Sequence, residues 1–573
     1  MQHSELNEQQ LLPLMDELLR RFAGLHRLSG SADAETAVEY LVDRLQQRGL
    51  QARVDQCPLL LSNPLSGGLS LPDYPQWCAT AKTRSFSAHC PEGVEGALFY
   101  DYRSMKRIPD NQLAQWSHQV IGKIVIADQG LEDYVQRLDA AGALALIHIW
   151  GSAESALHEE TVGPVWGTPV PDDRKLYPSL PVISLNQEQG RQLLALYQQA
   201  SGRHLTARVT TELERGVTTC SLPVVDIPGK TTEFVLLSSH YDSWHEGVTD
   251  NATGNALCLA MAVHFQQQAT SMKRGLRIAW WPGHSNARYG GSTWYADRYR
   301  RQLGTDCVAH INVDSPGCRE AVKVVINASG AEDVAFLNRA VRQVTGQPAQ
   351  RIAPLGKGGD QSFWGSGLPL HFAFREEPAV KDALSPGSGG GWWWHTEQDT
   401  YDKVDLAILW RDCQIHEGWL FELLNLTPLP MDPPRYREQL YQELLTLADR
   451  LDPAFDLQPV LDALAAQAAD LEHITALWQD DAQRWQAVLK EVLALWHRLR
   501  YSSTDDFHYD RSYHGGAFPG MQILLDRESE ATPETFLMMM TQFYRQRDRA
   551  LDLLMRSTKV LRQALSANYP SPG

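Results

Sequence analysis

The sequence predicts an α/β fold with a mixed central sheet covered by helices, an inserted smaller α/β unit and a helical C-terminal region. Three observations predict it. From about Pro223 to Pro428, strand-length apolar runs alternate with helical segments, as a sheet with helices packed on it requires. Between positions 76 and 219 a separate series of short apolar runs and helices intervenes. From Met431 the chain changes to long amphipathic segments with helical periodicity and no internal repeat. The expected organisation is therefore 1–75 with 220–430 as one domain, 76–219 as an inserted domain and 431–573 as a helical domain.

Taken in order, residues 9–49 carry helical periodicity. A second helix starts near Ser31-Ala32-Asp33-Ala34-Glu35, where Ser or Asp caps and acidic residues suit the first turn. It ends at Gly49, a C′ glycine. A strand, Gln51 to Val54, follows. Residues 62–90 are rich in Ser, Pro and Gly and read as a junction. The insertion then shows strands at Gly122 to Ala127, Ala143 to Ile149 and Pro181 to Leu185, and helices at Leu131 to Ala141 and Gln187 to Gln199. In the main domain, Phe234 to Leu237 and Leu276 to Trp281 are strands, and Asn255 to Gln268 is a helix. Gly356-Lys357-Gly358-Gly359-Asp360 opens a helix-like stretch. Gly387 to Gly391 leads into Trp392-Trp393-Trp394, flexible chain beside rigid aromatic surface, as in a substrate-covering loop. The C-terminal helices are expected at Arg435 to Leu451, Leu457 to Leu477, Ala482 to Leu499 and Pro533 to Leu565.

Composition narrows the partners. The chain has 573 residues, with 43% hydrophobic and 21% charged, which is ordinary for a water-soluble globular protein. A net charge of −17 argues against nucleic acid. No run approaches the roughly 20 apolar residues of a membrane span. The amino terminus has neither the basic nor the apolar region of a secretory signal. The eight cysteines are scattered without a C-x-x-C pair, as expected of reduced thiols in a cytoplasmic protein.

The chemistry concentrates in a few short motifs. His240-Tyr241-Asp242 ends an apolar strand, the position where open α/β sheets bind ligands. The Asp242 carboxylate can accept the second ring N–H of His240 and fix the tautomer a metal needs. Asp250 follows in Asp250-Asn251-Ala252-Thr253-Gly254, just before a helix. Asp314 stands in Asn312-Val313-Asp314, and His395 in His395-Thr396. Imidazole and carboxylate together suit zinc or a similar divalent ion, with manganese and cobalt also admitted.

This ordered set resembles the co-catalytic zinc aminopeptidase and carboxypeptidase family, in the branch of glutamate carboxypeptidase II and the transferrin receptor. The resemblance implies a zinc-exopeptidase fold, with the insertion as a protease-associated (apical) domain. It implies two zinc ions held by His240, Asp250, Asp314 and His395. It also implies a homodimer built by the C-terminal helical domain. Tyr513-His514-Gly515-Gly516-Ala517-Phe518-Pro519-Gly520 resembles a turn of that branch whose Tyr reaches the substrate, which assigns Tyr513 to the pocket. Asp360 matches the family's Gly-rich loop with an Asp.

Two departures shape the expected chemistry. The family's Glu-Glu pair, general base and zinc ligand, is replaced by His284-Ser285 between the strand ending at Trp281 and Gly291-Ser292. Beside His395 the branch has Tyr, where this chain has Trp394, whose indole N–H is its sole donor. The expectation is that His284 replaces the lost ligand: His240, Asp250 and Asp314 on one ion, Asp250, His284 and His395 on the other. Candidate catalytic groups are Asp242, Glu246 and Ser285, with Glu376 and Glu377 as further candidate bases. Glu376 and Glu377, acidic where the branch is basic, are expected to hold a substrate ammonium, with Trp394, Asp360 and Tyr513 also at the substrate. The function expected is a metal-dependent hydrolase of peptide or small amide bonds, an aminopeptidase with a variant dinuclear zinc site. Two other readings stand beside it: a degenerate binding protein of transferrin-receptor type, and a hydrolase or acyl transferase acting on a nonpeptide amide.

Overall fold

The computed structural model describes residues 6–102, 110–128, 130–151, 155–200, 205–356, 358–379, 391–478, 481–509, 516–522, 524–525 and 532–566. Two helices open the chain. Glu8–Phe22 buries Leu11, Leu14, Met15, Leu18, Leu19 and Phe22 on one face. Ala32–Gln47 is capped by Ser31, whose hydroxyl accepts the Ala34 N–H, and Gly49 follows it with φ of 78°, a conformation that suits glycine.

Thirteen strands follow: β1 (Ala52–Ser70), β2 (Cys78–Thr83), β3 (Cys90–Asp101), β4 (Lys123–Ala127), β5 (Ala145–Ile149), β6 (Val182–Leu185), β7 (Thr206–Ile227), β8 (Phe234–His240), β9 (Gly275–Trp281), β10 (Cys307–Asn312), β11 (Ala321–Ala328), β12 (Arg351–Pro354) and β13 (Leu370–Pro378). The main sheet runs β7-β9-β8-β10-β13-β11-β12. Strands β9, β8, β10 and β13 are mutually parallel, β7 is antiparallel to β9, and β11 is antiparallel to β13 but parallel to β12. All seven residues of β8 and of β9 are buried, as their apolar stretches Phe234 to Leu237 and Ile278 to Trp281 require. The helix Thr253–Gln266 is buried on nearly all sides, wedged between the sheet and the N-terminal helices.

The insertion is not joined by flexible linkers. β1 and β7 pair antiparallel from Ala52–Val225 to Ser70–Arg208, through an irregularity at Pro64 and Ser66. One end of this ribbon belongs to the main sheet. The other belongs to a smaller sheet, β1-β2-β6-β5-β4-β3-β7, which the β1–β7 pairing closes on itself. The Ser/Pro/Gly-rich stretch read as a junction from position 62 is thus partly strand, and position 219/220 lies inside β7. Long-range pairing supplies what local propensity does not.

The C-terminal region is helical: Pro433–Ala448, Gln458–Ala465, Ala468–Leu477, Ala482–Tyr501 and Pro533–Leu565. The segment expected as one helix from Leu457 to Leu477 is broken at Gln467, whose amide N–H₂ donates to the Leu554 carbonyl and to the Ser557 and Thr558 hydroxyls of the last helix. Gly358-Gly359-Asp360 is a turn rather than a helix start, with Asp360 at φ of 61°. Six of the eight cysteines are buried and all are free. No helix among the described residues is long and apolar enough to cross a membrane.

Candidate metal centre

The parallel strands bring their carboxyl ends to one edge, and four motifs converge there. His240 is the last residue of β8, Asp314 lies just past β10, and His284 just past β9. Asp250 sits before the Thr253–Gln266 helix, where the helix dipole favours a carboxylate. His395 stands on a turn at φ of 58°, held by tertiary contacts described below.

Asp250 is the hub. Its Oδ1 lies 3.1 Å from His240 Nε2, and its Oδ2 lies 3.1 Å from His395 Nε2. Asp314 Oδ1 is 3.7 Å from the same His240 nitrogen. His240 Nε2 and Asp250 Oδ1 are buried and face each other without hydrogen-bond geometry. That is how two ligands of a common ion stand. Burial opposes charge on His240, but the carboxylates of Asp242, Asp250 and Asp314 outweigh it and hold its pKa well above the usual range. For Asp250, burial is likewise outweighed, by the two imidazoles, and its pKa is driven well below that of an ordinary carboxyl. Buried carboxylates at this density call for cations, and the donor set suits zinc.

The scaffold fixes these groups. Asp399, fully buried, accepts from Thr249 N and Oγ1 and from Asp250 N at 2.7–3.0 Å. Asn251 Oδ1 accepts from Gly254 N and Ser315 N, and its Nδ2 donates to the Val313 carbonyl, tying the Asp250 turn to the Asp314 loop. Arg27, with no exposed surface, donates to the carbonyls of Phe22, Tyr241, Glu246 and Gly247 and so clamps the loop from His240 to Asp250.

Several expected roles look different in place. His240 Nδ1 is 2.9 Å from the Asp242 carbonyl and 3.6 Å from its carboxylate. That carboxylate accepts instead from the amides of His284 and Ser285, so Asp242 orients His240 through its backbone. Ser285 enters the arrangement by its amide. His284 is grouped with His240 and Asp314 rather than with His395. Its ring lies 3.6 Å over the His240 ring at an interplanar angle of 8°, and its Nδ1 is 2.7 Å from Asp360 Oδ2. The two rings lie face to face, and one donor atom from each of His240, His284 and Asp314 lies within 4.8 Å of the other two, a set that could hold an ion.

Glu246 is half-buried and is not part of the cavity wall; its carbonyl serves Arg27. Glu376 accepts from Cys318 N at 2.7 Å and from Arg411 at 2.7 Å, which commits both carboxylate oxygens. Glu377 pairs with Arg351 at 3.4 Å. Trp394 stacks on His395 at 3.7 Å. Tyr513 and the Gly387 to Gly390 stretch lie outside the described residues.

A cavity of about 510 Å³ covers the cluster. Its lining includes Asp250, Asp314, His284 and Trp394, and, from β11 to β13, Asn327, Arg351 and Arg375. Part of the wall comes from the insertion and includes Trp150, His158 and Glu160. Nothing in the motif reading pointed to this wall. The donor-dense tripeptide His158-Glu159-Glu160 was the available signal.

Residues 224–415 match the family described as peptidase family M28. A search of curated proteins finds no match. Among solved structures, the chain is similar to an aminopeptidase from Aneurinibacillus sp. strain AM-1, with 18% identity, TM-score 0.55, and 74% of this chain and 96% of that one covered. It is similar to BSAP, a zinc aminopeptidase from Bacillus subtilis, at 17% identity and TM-score 0.55, with 74% and 97% covered. It is also similar to a peptidase M28 precursor from Shewanella amazonensis SB2B, at 15% identity and TM-score 0.55, with 74% and 99% covered. At these identities the likeness concerns the fold.

Proposed function

We propose that the chain, whose residues 224–415 match peptidase family M28, is a metal-dependent aminopeptidase with a variant dinuclear centre. The observation that carries this reading is Asp250, with one carboxylate oxygen 3.1 Å from His240 and the other 3.1 Å from His395. A carboxylate so placed suits a bridge between two ions. His240, Asp250 and Asp314 would hold one, and Asp250 and His395 would share the other. When bound, such ions lower the pKa of water and polarise the substrate carbonyl.

The chain's own residues do the rest. With the Glu-Glu pair absent, His284 takes the proton of the attacking water. Asp360 binds its Nδ1 side, leaving Nε2 as the accepting nitrogen in the cavity lining. Ser292 donates to the other Asp360 oxygen at 2.7 Å, so the dyad is held from behind. The stack on His240 keeps the ring at the metal side. Trp394 packs over His395 and shields that side from solvent. The amino-terminal direction is supported by the descriptions of the two similar aminopeptidases. Glu377, which lines the cavity beside Arg351, would meet the substrate ammonium in this reading.

The test is a panel of aminoacyl anilides, amino-blocked peptides and carboxy-terminal substrates, assayed with zinc-loaded protein and with His284→Ala. Free-amine substrates should be cleaved. His284→Ala should lower kcat by roughly 10²–10⁴-fold, the range for a lost general base, while metal content stays unchanged. Cleavage of amino-blocked substrates alone would reject the aminopeptidase reading. Loss of one metal in His284→Ala would make His284 a ligand instead of the base.

A further inference from the structure

The His395 side of the centre is short of ligands. From the main-sheet domain it receives His395 and the shared Asp250, whereas a zinc ion takes three or four protein donors. We propose that the insertion completes it, with Glu160 and His158 as ligands of the ion bound by His395 and Asp250. This rests on the dinuclear reading above and goes beyond it, since the ligands come from another unit.

Three independent features converge. One donor atom from each of His158, Glu160 and His395 lies within 4.8 Å of the other two, all three residues being buried. Ligands of one tetrahedral zinc stand about 3.3 Å apart, from bond lengths near 2.0–2.1 Å, so adjustments of about an ångström close the set.

His158 is the second feature. It is 2% exposed, and neither ring nitrogen has a hydrogen-bond partner. Two buried unsatisfied ring nitrogens are costly unless something else occupies them. The ring cannot swing to solvent, because it stacks on Trp150 at 3.7 Å and 6° and has Trp394 at 5.2 Å.

The third is the way the segment is docked. Glu159 N donates to the His395 carbonyl at 2.8 Å, and the Glu159 carbonyl lies 3.0 Å from His395 Nδ1. This bond places the His395 proton on Nδ1 and leaves Nε2 unprotonated, facing Asp250. Glu160 Oε1 is held by Thr161 N at 3.0 Å and by Arg288 at 3.3 Å. Its Oε2 is turned to the His395 ring, 3.9 Å from Nδ1. Glu159 itself turns its side chain away, to Lys82 and His245. Ion binding on this side would thus require both units and would fasten them together.

The experiment measures metal content of the full chain by elemental analysis after zinc loading and desalting. It also measures the rise in Tm when zinc is returned to stripped protein. Wild type is compared with Glu160→Asp, which keeps the charge beside Arg288 but withdraws the carboxylate, and with His158→Phe, which keeps the stack and removes both nitrogens. Wild type should hold about two ions per chain, and each variant about one, with a smaller zinc-induced rise in Tm. The proposal is overturned if both variants keep the wild-type content and the wild-type rise. It also falls if wild type holds a single ion that both variants retain. In those cases peptide hydrolysis by wild type leaves the enzymatic reading standing, whereas wild type without metal or hydrolysis would sink both.

Discussion

Arg288 joins the insertion to the main-sheet domain through two buried carboxylates, and its loss should be felt in both. Its Nη2 is 3.0 Å from Glu132 Oε2 and its Nη1 is 3.3 Å from Glu160 Oε1. All three side chains are 8% exposed or less, so no water replaces the lost partner. Arg288→Met fills similar volume but strands two acids. Removing one partner of a buried ion pair costs ~3–5 kcal/mol. Glu132 offsets part of this at neutral pH, because burial already pushes its carboxyl up to about 7 and it can take a proton. Burial raises the Glu160 carboxyl and Arg288, the largest opposing charge, His395 and Arg84 outweigh it; in the variant only His395 and Arg84 remain to oppose burial. The net expectation is ~3 kcal/mol at pH 6.5 and more at pH 8. For a unit the size of the insertion, at ~2–4 °C per kcal/mol, that is a fall in Tm of roughly 6–12 °C at the lower pH. Scanning calorimetry of metal-free protein at the two pH values measures it. A shift under about 2 °C, equal at both pH values, would refute the idea that this arginine neutralises a buried interface.

Two further outcomes follow from the same geometry. Glu132 binds its proton more tightly folded than unfolded, so its contribution favours the folded state below about pH 4.5 and is lost as pH rises through about 7. Glu132→Gln should therefore flatten the fall in Tm between pH 5 and 7.5, and an unchanged slope would place the titration elsewhere. Arg27→Met leaves four carbonyls without their donor; at ~1–3 kcal/mol for each unsatisfied buried group, the variant should lose at least ~3 kcal/mol and bind zinc more weakly. Denaturation and zinc competition titration check the two parts separately.

The residues read from the sequence were those whose neighbours announce them. His240, Asp250 and Asp314 each adjoin an apolar strand or a helix start, and the alternation that sets the sheet sets their positions. What local pattern could not give was anything fixed by docking. Arg27 reads as one basic residue near a helix end, yet it is buried against a loop more than 200 positions away. Glu376 reads as an acid that holds a substrate ammonium, but Arg411 from a later helix pairs with it. The wall of the cavity made by Trp150, His158 and Glu160 exists because β1 and β7 hold the insertion over the sheet. The same ribbon was hidden by composition, since glycine, serine and proline signal turns unless a long partner strand pairs with them. His284 was found as an anomaly in a motif, but its stack on His240 and its bond to Asp360 are made by residues distant in sequence and had no local signal.

The most direct test of the account is an anomalous difference map at the zinc edge from crystals of the zinc-loaded chain. The account predicts two peaks flanking the Asp250 carboxylate, one beside His240 and Asp314, the other beside His395, Glu160 and His158. His284 should stay on Asp360, outside bonding distance of either peak. An absence of peaks at Asp250, or a single peak ligated by His284, would contradict it.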